Sequence, residues 1–362
     1  MNILIIFVEK TEYNIARIQQ VYEKNNTIEC DYVYCNESLS GHQARESLPS
    51  SCIVLDNNKI LELFRIMKSK KYDFFQINGY SDLIRLTAIV YAKMRKIPYA
   101  IETDTQLKVP QNYIKRIAKN FLLKFIFGKN AYGFAGGSRQ TELFRYYGMK
   151  EEHITIMPMT VNTEEFRKIA HMHSKEFYKE KYGFVEKKVV LYIGRFEKVK
   201  NLYMLIDAFT RVKKNKEDCE LCLVGKGSLQ KDLEKYCRDL NIEDHVHFYT
   251  YKLMPELAEI YSMADVFVLP SFFEPWGLVV NEACACGVPV IASDKVGSGD
   301  DLIISGINGD IFECDDLEKL SMLINNWIYE KKGKVGIDIS EKWNFKTYYD
   351  IWSKKMKELC DE

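Results

Sequence analysis

Two glutamates lie eight positions apart in a stretch whose pattern changes from strand to helix. Glu274 precedes a Pro-x-Gly turn that ends at Gly277, and Glu282 falls about one turn into the following helix. Ligands of an α/β sheet gather where strands end and helices begin. Gly277 lets a ligand approach the backbone closely, and the first N–H groups of the helix face an anion. A ligand bound there would place Glu274 beside its hydroxyls and Glu282 beside a ribose diol. The alternative is a plain turn whose glutamates only stabilise the helix N-terminus.

A second loop carries two cations, five positions apart. Arg195 follows Gly194 at the end of an apolar run, and Lys200 precedes Asn201. An arginine fork can bind phosphate oxygens in a bidentate manner, while a lysine supplies a mobile point charge. A diphosphate leaving group calls for both, because negative charge accumulates on it as its bond breaks. The alternative is a solvated basic loop.

These loops need a scaffold, and the chain alternates short apolar runs with helical stretches throughout. Such alternation is typical of βαβ units and of a doubly wound parallel sheet. In the first half the predicted strands are 3–8, 74–77, 99–101, 132–135 and 154–157. In the second half the predicted strands are 189–193, 220–224, 246–249, 266–269 and 288–292, and the predicted helices are 204–212, 229–239 and 278–286.

The length of 362 residues favours two domains. The pattern predicts an N-terminal Rossmann-like domain over residues 1–165 and a connector over 166–187, where the sequence is charged and poor in large aliphatics. A C-terminal Rossmann-like domain follows over 188–340. The amphipathic, aromatic-rich segment 341–362 predicts a final helix that packs back on the first domain.

Taken in order, the motifs of the second half resemble the retaining glycosyltransferase family four of the GT-B superfamily, which includes bacterial surface-polysaccharide glycosyltransferases. The resemblance runs from about Val189 to Glu313. It implies an α/β fold with two Rossmann-like doubly wound domains that face a central cleft, and a C-terminal helix that crosses back to the first domain. It rests on the Gly-Arg…Lys-Asn loop, the turn 223–227, the strand 264–271, the two glutamates and the segment 285–292.

The resemblance also implies roles for residues. Arg195 and Lys200 would hold the diphosphate of a nucleotide-sugar donor, Glu282 its ribose and Glu274 the transferred sugar, with Glu274, Arg195 and Lys200 acting in catalysis. The first domain departs from the family pattern, because 101–105 has no histidine. Glu102 or Asp104 would then lie nearest the anomeric carbon or bind the acceptor. The remaining donor-site residues implied are Gly194, Gly225, Tyr249, Trp276, Gly277 and Leu278.

The activity implied is retaining, metal-independent transfer of a sugar from a UDP- or GDP-sugar to a glycan acceptor, either free or lipid-linked. The two alternatives are a nucleotide-sugar epimerase of the same fold and a catalytically silent sugar-nucleotide-binding subunit. No metal or other cofactor is expected, because no Asp-x-Asp carrier of a divalent cation is present. Asp300 and Asp301 are adjacent instead, and Asp315 is a candidate helix N-cap.

Charge and composition complete the expectations. Acidic and basic residues balance at 51 each, so no overall field indicates a nucleic-acid partner. Residues 108–129 hold six cations and no acid among large apolar side chains, which is typical either of a helix at an anionic membrane surface or of a core-facing helix with a basic face. With scattered cysteines and no signal-peptide pattern, we expect a cytoplasmic location, with peripheral contact at the inner face of the cell membrane if the first interpretation holds.

Overall fold

The computed structural model describes residues 1–25, 27–37, 52–56, 58–214, 216–330 and 339–361. The chain divides into two compact units, one formed by Met1–Val161 with Asn344–Glu362 and the other by Asn162–Trp343. Each unit is built on one parallel sheet with helices on its faces. The predicted fold of two Rossmann-like α/β sheets is therefore confirmed.

The first unit has a seven-stranded sheet in the order β3-β2-β1-β4-β5-β6-β7. Its strands are β1 (Asn2–Phe7), β2 (Glu29–Tyr34), β3 (Cys52–Val54), β4 (Phe74–Asn78), β5 (Tyr99–Thr103), β6 (Ala131–Ala135) and β7 (Ile154–Ile156). Its helices are α1 (Glu12–Arg17), α2 (Lys59–Ser69), α3 (Leu83–Arg95), α4 (Tyr113–Ile126), α5 (Ser138–Tyr146) and, at the end of the chain, α14 (Phe345–Asp361).

The two faces of this sheet carry different helices. Helices α2 to α5 contribute Leu63, Ala88, Leu123 and Phe144, among others, to one apolar cluster. On the other face, a π-helical turn (Ile18–Tyr22) packs with α14 in a second cluster. The last helix of the chain thus completes the core of the first unit.

A buried polar network fastens α14 to the strands. The Trp352 indole N–H donates to Gln76 Oε1 at 2.9 Å, and Gln76 Nε2 lies 2.7 Å from a Glu102 carboxylate oxygen. The second carboxylate oxygen of Glu102 forms an ion pair with the Arg17 guanidinium. Tyr348 of α14 also contacts the Gln76 amide, at 3.1 Å. Gln76, Arg17, Tyr348 and Trp352 are buried and Glu102 is half-buried, so the network gives these polar groups the partners that water would otherwise supply.

The second unit has a six-stranded sheet in the order β10-β9-β8-β11-β12-β13. Its strands are β8 (Lys188–Ile193), β9 (Cys219–Val224), β10 (Val246–Tyr249), β11 (Val266–Leu269), β12 (Val290–Ser293) and β13 (Gly309–Phe312). Its helices are α6 (Thr163–Ala170), α7 (Lys175–Tyr182), α8 (Leu202–Lys213), α9 (Gln230–Asp239), α10 (Glu256–Met263), α11 (Leu278–Ala285), α12 (Gly299–Leu302) and α13 (Leu317–Asn325).

Two details differ from what the sequence predicts. The segment 166–187 belongs to the second unit and contains α7 and the end of α6, both of which pack on α10. Asp315 is not the helix cap. Asp316 is, since its carboxylate accepts the Lys319 backbone N–H at 2.8 Å. Across the described residues, no helix is both long and apolar enough to pass through a bilayer.

Candidate functional site

Three loops meet at the carboxyl edge of the second sheet, where β8, β11 and β12 are neighbours. The backbone joins them directly. Phe272 N–H donates to the Val199 carbonyl at 2.8 Å, and Glu274 N–H donates to the Lys295 carbonyl at 3.1 Å. Gly297 N–H in turn donates to the Glu274 carbonyl at 3.0 Å. Main-chain bonds on both sides therefore fix the position of Glu274.

An ion pair occupies the centre of this edge. The Lys200 ammonium contacts Glu274 Oε2, and both side chains are largely buried. Lys200 is the last residue of a short 3-10 turn (Lys198–Lys200), which leads into α8. Opposite charges at short range in a poorly hydrated site attract strongly. This pair therefore offers a cation to a phosphate and an adjacent carboxylate to a hydroxyl-rich group.

Gly277 shapes the turn beside that pair. Its φ is +94°, and a Cβ there would lie 3.1 Å from Glu274 Cγ and 3.2 Å from Leu269 Cδ2. Only glycine combines this backbone conformation with so little space. Helix α11 begins at Leu278, and the first N–H groups of a helix have no acceptor within it, which favours a nearby anion.

Trp276 belongs to the same turn and holds it in place through buried contacts. Its indole ring is buried, donates to Asn281 Oδ1 at 2.8 Å and lies against the Trp343 ring with centroids 5.1 Å apart. Its carbonyl accepts the Ser298 N–H at 3.0 Å. The side chain is therefore committed to packing, so a ligand role for Trp276 would involve its backbone.

Glu282 lies further along α11, half-buried. Burial raises the pKa of its carboxyl to about 7, although a hydrogen bond from Tyr261 acts in the opposite direction. The Tyr261 hydroxyl is 2.9 Å from Glu282 Oε2. Near neutral pH this carboxyl therefore exists in both protonation states, which suits a group that accepts or shares hydrogen bonds with hydroxyls.

Arg195 is exposed, while its backbone is held in place. The buried Tyr192 hydroxyl donates to the Arg195 carbonyl at 2.9 Å. Gly194 makes room for that contact, since a Cβ there would lie 2.7 Å from the Tyr192 oxygen. Burial raises the pKa of Tyr192 well above its ordinary value, and Glu274 adds to that effect. Tyr192 thus stays neutral between the loop and the ion pair.

Gly225 and Tyr249 lie at the neighbouring strand ends. The Gly225 N–H donates to the Tyr249 carbonyl at 2.9 Å, and a Cβ on Gly225 would collide with the Gly194 carbonyl oxygen. Tyr249 is the last residue of β10 and is half-buried, and burial raises the pKa of its phenol. Gly225 therefore has a packing reason to be glycine in addition to the predicted role in the donor pocket.

The first unit holds the two acidic candidates. Glu102 is engaged with Arg17 and Gln76 inside the sheet. Asp104 lies just beyond the end of β5, half-buried, and its carbonyl accepts from Gln140 Nε2 at 2.8 Å. Glu102 is thus committed to the buried network, while Asp104 lies at the carboxyl end of its strand.

Sequence reasoning missed two tyrosines at this edge. Tyr192 stands within an apolar run and therefore has the pattern of an ordinary core residue, and Tyr261 belongs to a helix that the periodicity did not identify. Contact between Tyr261 and Glu282 spans 21 residues of chain. No local pattern signals such a contact. Within the described ranges, no group of three or more His, Cys, Asp or Glu side chains could hold a metal ion.

The comparisons with known proteins bear on this unit first. Residues 174–340 match the model of the family described as glycosyl transferases group 1. All of the matched residues lie in the second unit, which is therefore the part of the chain that is similar to that family.

Two curated proteins match parts of the chain. The chain is 31% identical over 159 residues to the mannosylfructose-phosphate synthase of Agrobacterium fabrum, covering 42% of this chain and 35% of that protein. It is 26% identical over 204 residues to the GDP-mannose-dependent alpha-(1-6)-phosphatidylinositol monomannoside mannosyltransferase of Mycolicibacterium smegmatis, covering 53% of each. The chain thus spans about half or less of the length of these relatives.

Solved structures match the whole chain in fold. The Anabaena protein HepE, described in complex with UDP, superposes with a TM-score of 0.79 at 16% identity and 99% coverage of both chains. The apo form of the lipopolysaccharide outer core galactosyltransferase WaaB gives a TM-score of 0.73 at 18% identity, again with 99% coverage of both. At such identities the likeness shows the fold, which is GT-B.

Proposed function

We propose that this chain is a retaining, metal-independent glycosyltransferase that moves a sugar from a nucleotide-sugar donor to a glycan acceptor in surface-polysaccharide synthesis. The donor is a UDP- or GDP-sugar. The observation that carries the proposal is the Lys200–Glu274 ion pair, beside Gly277 and the N-terminus of α11.

Each part of this edge suits one part of such a donor. Lys200, with Arg195 on the same loop, neutralises the diphosphate. Glu274 accepts hydrogen bonds from the sugar hydroxyls next to it, and Glu282 accepts from the ribose. Because Lys200 and Glu274 already touch, diphosphate and sugar would be bound side by side, as they are linked in the donor.

The chemistry proposed is positioning and charge stabilisation. The acceptor hydroxyl attacks the anomeric carbon on the face from which the diphosphate departs, and the leaving diphosphate takes up the proton. The cations then stabilise the charge that develops on the leaving group. Asp104 is the residue proposed to bind the acceptor or to lie nearest the reacting carbon.

Names among the comparisons support both donor bases, since one relative is described as GDP-mannose-dependent and one structural neighbour as a complex with UDP. Calorimetric titration with UDP and GDP separates the two. Product analysis by NMR with the matching donor then gives the anomeric configuration. An inverted product excludes the retaining mechanism, and release of a free epimerised sugar without an acceptor supports the epimerase alternative.

Metal independence has its own test. We expect transfer to continue in EDTA at the rate measured without it, because protein cations take the place of a metal at the diphosphate. Activity that stops in chelator and returns with Mg²⁺ or Mn²⁺ contradicts this part of the proposal.

Peripheral contact with an anionic membrane, through residues 108–129, is proposed as well. This segment contains α4, whose apolar residues Ile114, Ile117 and Phe121 are exposed. Such exposure favours the membrane interpretation of the segment over a core-facing helix. A lipid-linked glycan is then the form of acceptor that such a surface would reach.

A further inference from the structure

Helices α3 and α4 lie in one layer over the first sheet. Both pack their inner sides into the same apolar cluster, α3 through Ala88 and Ile89 and α4 through Leu123 and Ile126. They approach each other where the Lys93 ammonium lies 4.7 Å from the centre of the Phe125 ring. The outer sides of the two helices therefore form one continuous part of the surface.

The outer side of α4 is apolar. Ile114, Phe121 and Phe125 recur at spacings of seven and four residues, on the side of the helix opposite Leu123 and Ile126. Ile114 is 75% exposed and Phe121 is 79% exposed. Side chains of this size are seldom so exposed along one helix stripe of a protein that has no partner for it.

The outer side of α3 repeats this feature. Leu83, Val90 and Met94 follow the same helical spacing, opposite the buried Ala88 and Ile89. Leu83 is 73% exposed and Met94 is 79% exposed. The sequence did not predict an exposed apolar side on α3, because the apolar pattern of this helix is that of any helix packed on a sheet.

Charge selects the partner. Neither helix contains an acidic residue, whereas α4 holds Lys115, Arg116, Lys119 and Lys124 and α3 holds Lys93 and Arg95. Arg85 of α3 is buried and paired with Asp82, so it adds no charge to this surface. The whole chain, by contrast, is electrically neutral. A second copy would bring an identical cationic surface against this one in a two-fold dimer, so the charges would repel. An anionic bilayer presents phosphates to the cations and hydrocarbon to the apolar stripes.

We propose that α3 and α4 together form the membrane-binding surface, with Leu83, Val90 and Met94 inserted beside Ile114, Phe121 and Phe125. This inference rests on the membrane contact proposed for residues 108–129 and extends it to a second helix. Two helices side by side set the orientation of the first unit on the bilayer, which a single helix free to roll about its axis does not do.

Vesicle binding tests the surface. We expect Met94→Gln and Phe121→Gln each to weaken binding of the full chain to phosphatidylglycerol vesicles roughly tenfold, since each removes one inserted apolar side chain. Met172→Gln is the control, because Met172 is also an exposed methionine but lies in the second unit. Its binding should equal that of the wild type. A Met94→Gln variant that binds as the wild type does would overturn the inference.

Depth measurements separate this inference from the simpler membrane proposal. Three of the four natural tryptophans are buried and the fourth, Trp343, is half-buried, so a new tryptophan at Met94 or at Phe121 can be followed by quenching with brominated lipids. Quenching at both positions supports the two-helix surface. If only the tryptophan of Phe121→Trp is quenched, membrane contact through α4 stands and the proposed role of α3 is refuted. If neither is quenched, both proposals fail, and glycosyl transfer by the second unit is unaffected.

Discussion

Each unit contains a short ion pair between a glutamate and a cation, but the two pairs have different surroundings. Arg17 and Glu102 have side chains 1% and 11% exposed, and those of Lys200 and Glu274 are 11% and 15% exposed. The Arg17 guanidinium lies within about 6 Å of the rings of Phe7, Tyr13, Tyr22 and Tyr348. The surroundings of Lys200 and Glu274 are turns, a glycine and the start of a helix.

Two largely buried ion pairs therefore need not have the same role. Side chains enclose Arg17 and Glu102 on several sides, so that pair has the surroundings of a structural element. Loops border Lys200 and Glu274 at the edge where α/β sheets bind ligands. We infer that the first pair maintains the fold and that the second binds substrate. Each of the following changes tests this distinction.

The largest effect is expected from Arg17→Met. Removing the cation leaves Glu102 as a buried charge without its main partner, which should lower the free energy of unfolding by about 3–5 kcal/mol. Chemical denaturation, followed through the unfolding transition of the first unit, measures this loss of stability. Arg145→Ala breaks the exposed Arg145–Glu151 pair and serves as the control, with little or no change expected in the free energy of unfolding, because water screens this pair. A small loss for Arg17→Met would mean that the buried pair is not structural.

Lys200→Ala should leave the fold intact and reduce kcat by about 10²–10³-fold, as expected when one stabiliser of developing charge is lost. Arg195→Ala should act in the same direction. Lys198→Ala is the matched control, since this exposed lysine belongs to the same turn. Transfer at the wild-type rate in Lys200→Ala, with a native circular dichroism spectrum, would remove the diphosphate role.

Glu274→Gln should slow turnover by an amount that corresponds to about 1.5–3 kcal/mol, the contribution of a hydrogen bond to a charged group. Affinity for the free nucleoside diphosphate should stay equal or increase, because Lys200 loses the carboxylate that competes for it. Calorimetric titration with the diphosphate measures the affinity, and steady-state rates measure the turnover. Much weaker diphosphate binding by the folded variant would assign Glu274 to the nucleotide instead.

Glu282→Gln should change how stability depends on pH. With its pKa raised to about 7, Glu282 binds a proton more tightly in the folded chain than in the unfolded one, so its contribution falls as pH rises from its ordinary pKa of 4.5 to about 7. The glutamine variant should therefore gain roughly 1–3 kcal/mol over the wild type between about pH 5 and about pH 8. Chemical denaturation of the variant and the wild type at both pH values measures this gain. If the variant differs from the wild type in free energy of unfolding by the same amount at both pH values, the prediction is refuted.

The sequence predicted the buried strands well and the side-chain partners poorly. Strands such as β8 and β11 are continuous apolar runs, so their positions were evident to within a residue or two. Strand β2 begins with Glu29, Cys30 and Asp31 and lacks that signal, and it was missed. The edges of elements are decided by single hydrogen bonds, and for this reason Asp316 rather than Asp315 caps α13.

Within the candidate site, spacing predicted which loops carry Lys200, Glu274 and Glu282, because parallel strands end at one edge. Spacing could not show that Lys200 and Glu274 touch across 74 residues of chain. Nor could it show that Arg17, 85 residues away, engages Glu102. Such contacts depend on sheet order and rotamers, which are properties of the folded chain.

The position of α14 has a consequence for biosynthesis. The second unit is one uninterrupted stretch, Asn162–Trp343, whereas the first needs Asn344–Glu362 from the very end of the chain. A ribosome therefore synthesises every residue of the second unit before it adds Trp352, and the Gln76 amide and the ring of Tyr22 await that partner until then. The segment that completes the core of the first unit is thus synthesised after the whole of the second unit.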